Sequence, residues 1–476
     1  MTQLHDLTAL EQGELIAAGK LSPVELTEHY LERIDRLNET VGAYVTVTGD
    51  IALEQARQAE TDAAEARRED RPLPPLHGVP VPVKDLNFVA GVRATLGSAA
   101  YAENVPAVDD HVVTRLRAAG TVLLGKTQTP EFGLPCYSEN LVAPPARTPW
   151  DLERSAGGSS GGAGAAVASG LAPLAHGSDG GGSIRIPASV CGLFGIKPSR
   201  GRVASGPTFY DVSGLSTSGP LARTVRDAAA LLDVLAGSMP GEPYAAPSLA
   251  PGETFRGFAD RDPGTLRVAV LTQAPVPGVD VHADCRAATE SAAELLASLG
   301  HHVERLDLPA DDTLRNVFGQ VWAVMATQTP VAPEDEDKLM PLTRHLRAQG
   351  ARVSGPDFAT ALYAFRALGL LVAQLQEAYD VILSPTLAQP PALVGSLRND
   401  ADPAAEFDAL AAFTPFTPLY NATGQPSVNL PLHWTADGLP IGVMLGARYG
   451  EESTLISLSA QLESARPWAT RKPSLW

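Results

Sequence analysis

Apolar residues at helical spacing mark the first part of the chain. In the stretch SPVELTEHYLERIDRLNE they recur at intervals of four, four and three residues, and they form one face of an amphipathic helix: Leu26, Tyr30, Ile34 and Leu37. Ser22 precedes this helix as its N-cap, Pro23 takes the first helical position, and Glu25 completes a capping box. We therefore predict a helix here that serves as scaffold.

From about Leu76 onward, short apolar runs alternate with helical patterns. The run HGVPVPVKDLNF is β-rich, and DDHVVTRLRAAG predicts a helix that ends before a buried strand over 122–124. A small-residue helix, a strand over 172–175, a glycine-rich loop and another helix follow. Later, TLRVAVLT, HHVERLDLP and DVILSPT predict strands, with a helix over 283–299 after the first. This alternation predicts an α/β fold with a central mixed twisted sheet covered by helices on both faces.

The whole chain, 1–476, is predicted to form a single domain, because no long Pro/Gly/Ser linker, internal repeat or low-complexity tract divides it. An N-terminal helical part covers 1–70, and the core comprises 71–235 and 423–476. The segment 236–422 is richer in Pro and Ala and holds the acidic run PEDEDK, a predicted solvated loop. We expect this variable segment to cover the sheet and to shape a cleft.

Charge and hydropathy exclude several classes of partner. The chain is 44% hydrophobic and 19% charged, with a formal net charge of −18, which repels nucleic acid phosphates and anionic membranes. The start of the chain lacks the basic and apolar regions of a secretory signal, and we find no run of about 18 apolar residues. We therefore expect a cytoplasmic protein that binds neither nucleic acid nor membrane.

Three cysteines, Cys136, Cys191 and Cys285, are spread widely along the chain. Their spacing matches neither a zinc-binding pattern nor a disulfide framework. We predict that all three are buried small side chains in a reducing compartment. No metal site is expected.

The stretch RSAGGSSGGAGAAVASG contains six consecutive Gly or Ser residues, from Gly157 to Gly162. A flexible linker is disfavoured, because a helix and a buried strand follow at once. Such short glycine-rich turns mark special backbone angles or close backbone approach. A nucleotide cradle is disfavoured too, because Val167 stands where a dinucleotide-binding motif needs its last glycine. GGSSG also matches a nucleophile elbow with Ser159 as nucleophile, which requires a downstream acid and histidine. The histidine candidates are His301, His302, His345 and His433.

A second glycine-rich loop, HGSDGGGSIRIPAS, places three glycines directly before Ser183. Successive backbone N–H groups at such a turn form an anion-binding nest, which suits the oxyanion that forms when a serine attacks a carbonyl. A serine nucleophile needs a base, and Lys84 stands at the end of an apolar run. Burial would lower the pKa of that lysine. An ion pair between Lys84 and Asp85 is the alternative that the residues themselves leave open.

At this point the chain resembles the amidase signature family over most of its length. The motifs that carry the resemblance occur in the family's order: HGVPVPVKD, GGSSGG, GSDGGGSIRIPAS, CGLFGIKPSRGRV, GPLARTVRD, TGQPSVNLPL and ADGLPIGVMLGAR. The resemblance implies hydrolysis of carboxylic amides through an acyl-enzyme, with a Ser-cisSer-Lys triad and with no metal or cofactor. It leaves a catalytically silent binding protein of the same fold as an alternative from another class.

The resemblance also implies a role for each site residue. Lys84 would be the base, Ser159 the bridging serine after a cis peptide bond, and Ser183 the nucleophile. The oxyanion hole would consist of the N–H groups of Ser183 and of Gly180, Gly181 and Gly182. The two serine loops would be held together by Ser160, Asp179 and Arg185.

Two positions depart from the family pattern. Gly180 stands where the family usually carries a larger residue, often threonine, so the hole is expected to be less ordered or to admit a bulkier acyl group. Leu86 stands where asparagine is common. A third position bears on the branch: Ile186 replaces the glutamine common in the A subunit of the tRNA-dependent amidotransferase. A stand-alone hydrolase is therefore favoured over that subunit.

The stretches PEFGLPCYSENLV and FTPFTPLYNATGQPSVNLP look like the branch of aryl acylamidases and nylon-oligomer or polyamide hydrolases. The implied substrates are aryl acyl amides or linear polyamide oligomers, and esters as well, bound by a monomer or homodimer. Four aromatic residues are expected to line an apolar cleft for these groups: Tyr137, Phe413, Phe416 and Tyr420.

Overall fold

A computed structural model of the chain describes residues 3–307 and 310–476. Helices of four residues or more are α1 Ala9–Ala17, α2 Pro23–Val41, α3 Gly49–Arg68, α4 His111–Ala118, α5 Gly161–Ala168, α6 Arg185–Cys191, α7 Val225–Leu235, α8 Phe255–Phe258, α9 Ala283–Ser298, α10 Thr313–Ala326, α11 Pro341–Gly350, α12 Gly355–Leu375, α13 Pro403–Phe413, α14 Pro418–Thr423 and α15 Glu452–Ala465. Short 3-10 helices cover Leu4–Asp6, Ala99–Tyr101, Glu131–Gly133 and Pro333–Lys338.

Strands are β1 Tyr44–Val47, β2 Val83–Lys84, β3 Gly125–Thr127, β4 Leu174–Asp179, β5 Phe194–Lys197, β6 Thr217–Ala222, β7 Arg267–Val270, β8 His302–Arg305, β9 Val381–Pro385, β10 Ser427–Trp434 and β11 Pro440–Ala447. Eight of them form one sheet in the order β4-β6-β5-β10-β11-β9-β7-β8. The β7–β8 and β7–β9 pairs are parallel, and the others in this sheet are antiparallel. The predicted α/β class with a mixed sheet is therefore confirmed.

Helices cover both faces of the large sheet because its strands are apolar on both sides. Leu174 and Ala222 belong to one core cluster, together with α7, α9 and α15, whereas their neighbours Ala175 and Leu221 belong to a second cluster with α5 and α6. Successive side chains of a strand point to opposite faces, so this alternation places the two clusters on opposite sides of the sheet. The site described below lies on the side of the second cluster.

The predicted local elements are found with small shifts at their ends. Ser22 caps α2 by accepting hydrogen bonds from the N–H groups of Val24 and Glu25. The strand expected over 122–124 begins later, as β3, and the strand expected over 172–175 runs on to Asp179. The helix expected over 283–299 is α9. Within the HHVERLDLP pattern, Leu308 and Pro309 lie outside the described residues.

The segment 236–422 does more than cover the sheet. It supplies β7, β8 and β9, which form one side of the eight-stranded sheet, as well as α8 to α13. The expectation of a cover alone is wrong in this respect, because TLRVAVLT and DVILSPT are buried on both faces and pair with the core strand β11 through β9. The acidic run PEDEDK is a 3-10 helix rather than a loop.

One helix contradicts the expectation that no run is long and apolar enough to cross a membrane. By length and composition alone, α12 passes that test, with only 17% of its apolar window buried. Three large apolar side chains on it are mostly exposed: Tyr363, Leu370 and Leu371. Composition alone is weak evidence for a span, since helices of soluble proteins also pass it.

All three cysteines are buried and free, as predicted. Burial raises the pKa of each thiol to about 12. None of the three is therefore a thiolate at neutral pH, and all act as small apolar side chains.

Close backbone packing seats the helix α5, which begins directly after the GGSS stretch. Its residues are only Gly, Ala and Val, and all of them are buried. A methyl group added at Gly162 would lie 2.3 Å from the backbone nitrogen of Gln128 and 2.4 Å from the carbonyl oxygen of Ala43. The glycines therefore serve close approach between backbones, and they are not a flexible linker.

We expect Gly162→Ala to lower the free energy of unfolding by about 1–3 kcal/mol, since the added methyl group meets backbone atoms that cannot rotate away. Gly355→Ala is the matched control, because Gly355 has no atom within 4 Å of the added methyl position and should change stability by less than about 0.5 kcal/mol. Urea unfolding followed by circular dichroism measures both. Equal stability of the two variants would contradict the close packing.

Candidate active site

Lys84 ends β2 and is fully buried. Its Nζ donates to Ser159 Oγ at 2.7 Å, to Ser178 Oγ at 3.0 Å and to the Ser178 carbonyl oxygen at 3.2 Å. The alternative ion pair with Asp85 is wrong, because the Asp85 carboxylate accepts from Lys126 Nζ at 2.7 Å on the neighbouring strand β3. Lys84 thus points its amine at a serine hydroxyl and away from a carboxylate.

Burial lowers the pKa of Lys84 to about 7, because the charged ammonium loses its hydration. The negative charge of Asp179 opposes this shift. His176, whose Nδ1 accepts the backbone N–H of Lys84 at 3.4 Å, has its pKa lowered by burial to about 3 and is uncharged at neutral pH. Lys84 can therefore accept a proton near neutral pH, as a general base must.

Ser159 follows a cis peptide bond at Gly158–Ser159, which agrees with the expectation from the family. Gly133 lies opposite its hydroxyl, and a methyl group added there would be 3.2 Å from Ser159 Oγ and 2.6 Å from the Leu86 side chain. Leu86, where the family often has asparagine, therefore lies against Gly133 beside Ser159. This side of the hydroxyl is apolar, and the other side faces the Lys84 amine.

Ser183 stands at the end of the second glycine loop, next to the first serine loop. The backbone N–H of Ser160 donates to the Ser183 carbonyl oxygen at 3.2 Å. Within the described residues, the N–H groups of Gly181 and Ser183 have no protein acceptor, so they are available to an oxyanion. Gly182 is different: its N–H donates to Asp179 Oδ1 at 2.7 Å. The expectation that Gly182 contributes a donor to the hole is therefore wrong.

Asp179 and Arg185 form a buried, bidentate ion pair. Arg185 Nη2 lies 2.8 Å from Asp179 Oδ1, and Arg185 Nε lies 2.9 Å from Asp179 Oδ2. The guanidinium holds the pKa of Asp179 well below its usual range despite burial. The same carboxylate accepts the N–H groups of Gly182 and Ile184. Asp179 thus holds the loop that carries Ser183, as expected for a residue linking the loops.

Ser160 joins the two loops through hydrogen bonds to one residue. Its hydroxyl donates to the Ser178 carbonyl oxygen at 3.1 Å and lies 3.2 Å from the Ser178 N–H, which donates to it. Ser178 also contacts Lys84. Sequence reasoning missed Ser178, although its place two residues before the glycines at the end of β4 puts it on the same loop.

Thr417 and Asn421 were also missed by sequence reasoning. Asn421 Nδ2 donates to Asp179 Oδ1 at 2.9 Å, and its Oδ1 accepts from Arg185 Nη2 at 2.7 Å. Thr417 Oγ1 donates to the Gly181 carbonyl oxygen at 2.7 Å. Their spacing of four residues around α14 was the available signal, because it places both on one face of a helix.

The four aromatic residues predicted for the cleft lie in the core. Tyr137 donates its phenol to Glu406 Oε1 at 2.5 Å, and the Tyr420 ring lies beneath the Arg185 guanidinium at 6.0 Å. Phe413 and Phe416 are buried in the core clusters. None of the four is among the described residues that line the cleft. Large aromatic side chains fill cores as readily as they line sites, so composition could not separate the two roles.

The cleft itself has a volume of about 740 Å³ and opens onto Ser183 and Gly181. Its walls come from the loop at 134–136, from α10, from α13 and from the residues that lead into α14. Nearly all of its lining is apolar: Leu134, Pro135, Cys136, Ile186, Val276, Leu314, Phe318, Trp322, Phe407, Leu410, Ala411, Pro415 and Pro418. The arrangement can hold an apolar acyl or amine group beside a serine and two free N–H donors.

Comparison with known proteins decides the family. The model of the family described as "Amidase" matches residues 25–456. The chain belongs to the amidase signature family. It is accordingly an amide hydrolase, and the eight-stranded mixed sheet with its covering helices is the fold of that family.

Three relatives place it more closely. The AmiB2 protein of Mycobacterium tuberculosis is 39% identical over 100% of this chain and 99% of its own length. The 6-aminohexanoate-cyclic-dimer hydrolase of Paenarthrobacter ureafaciens is 36% identical, covering 99% and 97%, and a solved structure of a 6-aminohexanoate cyclic dimer hydrolase matches with a TM-score of 0.91, 33% identity and full coverage of both chains. A bacterial aryl acylamidase structure matches at a TM-score of 0.87 and 26% identity over 98% of both chains.

The two enzymatic alternatives are not favoured. The elbow mechanism needs a histidine at Ser159, yet among the described residues no hydrogen bond joins Ser159 to any of the four candidate histidines. His301, for example, bonds to Gln461 and to the N–H of Leu266. The neighbours that match best are hydrolases of amides, which leaves the tRNA-dependent amidotransferase subunit unsupported.

We expect Asp179→Ala to lower the free energy of unfolding by about 3–5 kcal/mol, because it leaves the buried Arg185 charge unpaired. It should also abolish turnover, since the Ser183 loop loses two hydrogen bonds. The matched control is Asp260→Ala, which removes an exposed ion pair with Arg226 and should cost no more than about 1 kcal/mol. Urea unfolding and amidase assays of both variants test this. Equal effects would show that burial of the pair is unimportant.

Proposed function

We propose that this amidase acts through Ser183 as nucleophile, Ser159 as a proton bridge and Lys84 as base. The observation that carries the proposal is the 2.7 Å hydrogen bond from Lys84 Nζ to Ser159 Oγ at a fully buried lysine whose pKa is lowered to about 7. The neighbouring Ser183, whose loop offers free N–H groups, supports the assignment of the nucleophile.

In the first half of the reaction, neutral Lys84 accepts a proton through the Ser159 hydroxyl as Ser183 Oγ attacks the amide carbonyl carbon. The resulting oxyanion accepts hydrogen bonds from the N–H groups of Gly181 and Ser183, with Gly180 in the same loop. Each such donor is worth about 10²–10³ in rate. The tetrahedral intermediate then breaks its C–N bond, and the leaving amine takes the proton back from Lys84 through Ser159.

In the second half, a water molecule gives a proton to the same pair and attacks the acyl carbon. The bond to Ser183 Oγ breaks, Ser183 regains its proton, and the carboxylic acid leaves. No step of this cycle requires a metal or a cofactor. Esters should react by the same path, because they form the same acyl-enzyme and their alcohol leaves more easily.

The substrates we propose are aryl acyl amides and linear polyamide or nylon oligomers. The apolar cleft beside Ser183 supports them, as does the likeness to the cyclic dimer hydrolase and the aryl acylamidase. We further propose a cytoplasmic monomer or homodimer that binds no nucleic acid, for which the net charge of −18 is the support.

We expect a fluorophosphonate probe to form one adduct, on Ser183, because only this serine joins an available carbonyl site to the Lys84–Ser159 pair. Intact mass and peptide mapping locate the adduct. Turnover of a 4-nitroanilide should fall at least about a thousandfold in Ser183→Ala and in Lys84→Ala. It should be retained in the single histidine-to-alanine variants at positions 301, 302, 345 and 433.

Two results would contradict this assignment. An adduct on Ser159 with dependence on one of those histidines would indicate the elbow mechanism. A folded protein with neither adduct nor turnover would indicate a binding protein of the amidase fold. Circular dichroism of each variant ensures that lost activity is not lost folding.

We expect kcat/KM to rise with pH and to level off above a midpoint near 7. Below that pH the Lys84 amine is protonated and cannot accept the proton of the serine, whereas above it the neutral base is present. Lys84→Arg should be inactive throughout, because guanidinium stays charged. Burial also lowers the pKa of Lys197 to about 7, so Lys197→Gln is the control and should keep the midpoint. A profile without a midpoint between pH 5 and 9 would argue against Lys84 as the base.

A further inference from the structure

Two aromatic side chains on α10 lie directly over the glycine loop. Phe318 and Trp322 are four residues apart, so they project from the same face of the helix. Their rings stack, with centroids 5.2 Å apart and planes 22° from parallel. Both line the cleft that opens onto Ser183. We refer to Phe318 and Trp322 as the aromatic wall.

The wall occupies space that the glycine loop leaves free. A methyl group added at Gly180 would lie 3.0 Å from Trp322 Cη2 and 3.0 Å from Ser216 Oγ. One added at Gly181 would lie 3.1 Å from Phe318 Cζ. These separations are shorter than ordinary contacts between carbon atoms. The aromatic wall can therefore approach the nucleophile loop this closely only because positions 180 and 181 lack side chains.

Contacts on the far side hold the wall in place. The Trp322 indole Nε1 donates to the Leu134 carbonyl oxygen at 3.2 Å, which fixes the ring against the opposite edge of the cleft. Phe318 packs against Phe365 of α12, with ring centroids 6.4 Å apart. The wall is thus a built surface rather than two mobile side chains.

Charge near the wall is neutralised. Arg315, one turn before Phe318 on α10, is the only charged side chain among the described residues that line the cleft. Its Nη2 lies 2.9 Å from Asp408 Oδ1 and its Nη1 lies 3.8 Å from Asp312 Oδ1. The surface next to the scissile bond therefore suits an uncharged group and disfavours a charged one, which would be desolvated without a partner.

We propose that the aromatic wall determines specificity: together with Gly180, it selects amides that carry an uncharged aryl group or a chain of several methylenes on one side of the scissile bond. The inference rests on Ser183 being the nucleophile, as proposed above. It gives the departure at position 180 a purpose, since the glycine admits Trp322 rather than a bulkier acyl group. Phe318 and Trp322 contact this group, and Gly180 acts by positioning Trp322.

The test compares kcat/KM for the 4-nitroanilides of acetic, hexanoic and benzoic acid in wild type, Trp322→Ala, Phe318→Ala and Tyr363→Ala. We expect the hexanoyl-to-acetyl and benzoyl-to-acetyl ratios to fall about tenfold or more in the two wall variants, mainly through KM, because apolar contact area is lost. Tyr363 is an exposed aromatic residue on α12, outside the cleft, and its variant should keep the wild-type ratios. Unchanged ratios in both wall variants would overturn the inference.

A double-mutant cycle tests the role of Gly180. Gly180→Thr should lower the same ratios by displacing Trp322, and in the Trp322→Ala background it should lower them little further. Additive effects would show that position 180 does not act through Trp322 and would overturn that part of the proposal. Comparing ratios rather than rates separates this effect from damage to the oxyanion hole.

Methanesulfonyl fluoride, a probe too small to need the wall, separates failure of this inference from failure of the proposed function. One adduct on Ser183 in wild type and in both wall variants shows that the nucleophile works and that the variants fold. If the ratios nevertheless stay constant, only the wall is refuted. If wild type forms no adduct on Ser183, the assignment of the nucleophile fails, and the wall inference fails with it.

Discussion

The burial of Lys84 without a carboxylate partner is the constraint on which the site depends. A buried ammonium costs several kcal/mol unless it is paired, and the described hydrogen-bond acceptors of Lys84 Nζ are neutral oxygens of Ser159 and Ser178. The two acids that could pair with it are engaged elsewhere: Asp85 binds Lys126, and Asp179 binds the guanidinium on α6. Pairing every nearby acid with another cation is what leaves the lysine neutral, and therefore basic, near pH 7.

The geometry around that lysine is made by backbones that approach each other closely. A methyl group added at Gly158 would lie 2.6 Å from the Tyr137 carbonyl oxygen, and the glycines that start α5 are packed as tightly. The two serine loops are then joined by Ser160 and by the carboxylate of Asp179, which holds two N–H groups of the Ser183 loop. Glycine is used here to remove side chains, so these glycine-rich loops are among the most tightly packed parts of the enzyme.

Much of this could be predicted from the sequence because it is local or carried by motifs. The alternation of elements predicted the α/β sheet, and the quoted motifs placed Lys84, Ser159 and Ser183. What failed depends on contacts between distant segments. No pattern shows that Asp179 takes the N–H of Gly182, or that Asn421 reaches across more than two hundred residues to Asp179. The aromatic residues near 413–420 were misassigned because burial in a core and burial in a cleft have the same composition.

Chemistry and selectivity reside in different parts of the chain, yet they are not independent. The serines and the lysine belong to 71–235, whereas the aromatic wall belongs to 236–422, a segment anchored in the sheet through β7, β8 and β9. The wall touches the catalytic part at the side-chain-free Gly180 and Gly181. A relative with threonine at position 180, as the family resemblance implies is common, has no room for an indole placed like that of Trp322. Changes in the wall are therefore coupled to the glycine loop, and the size of the residue at 180 limits how closely the variable segment can approach the reacting bond.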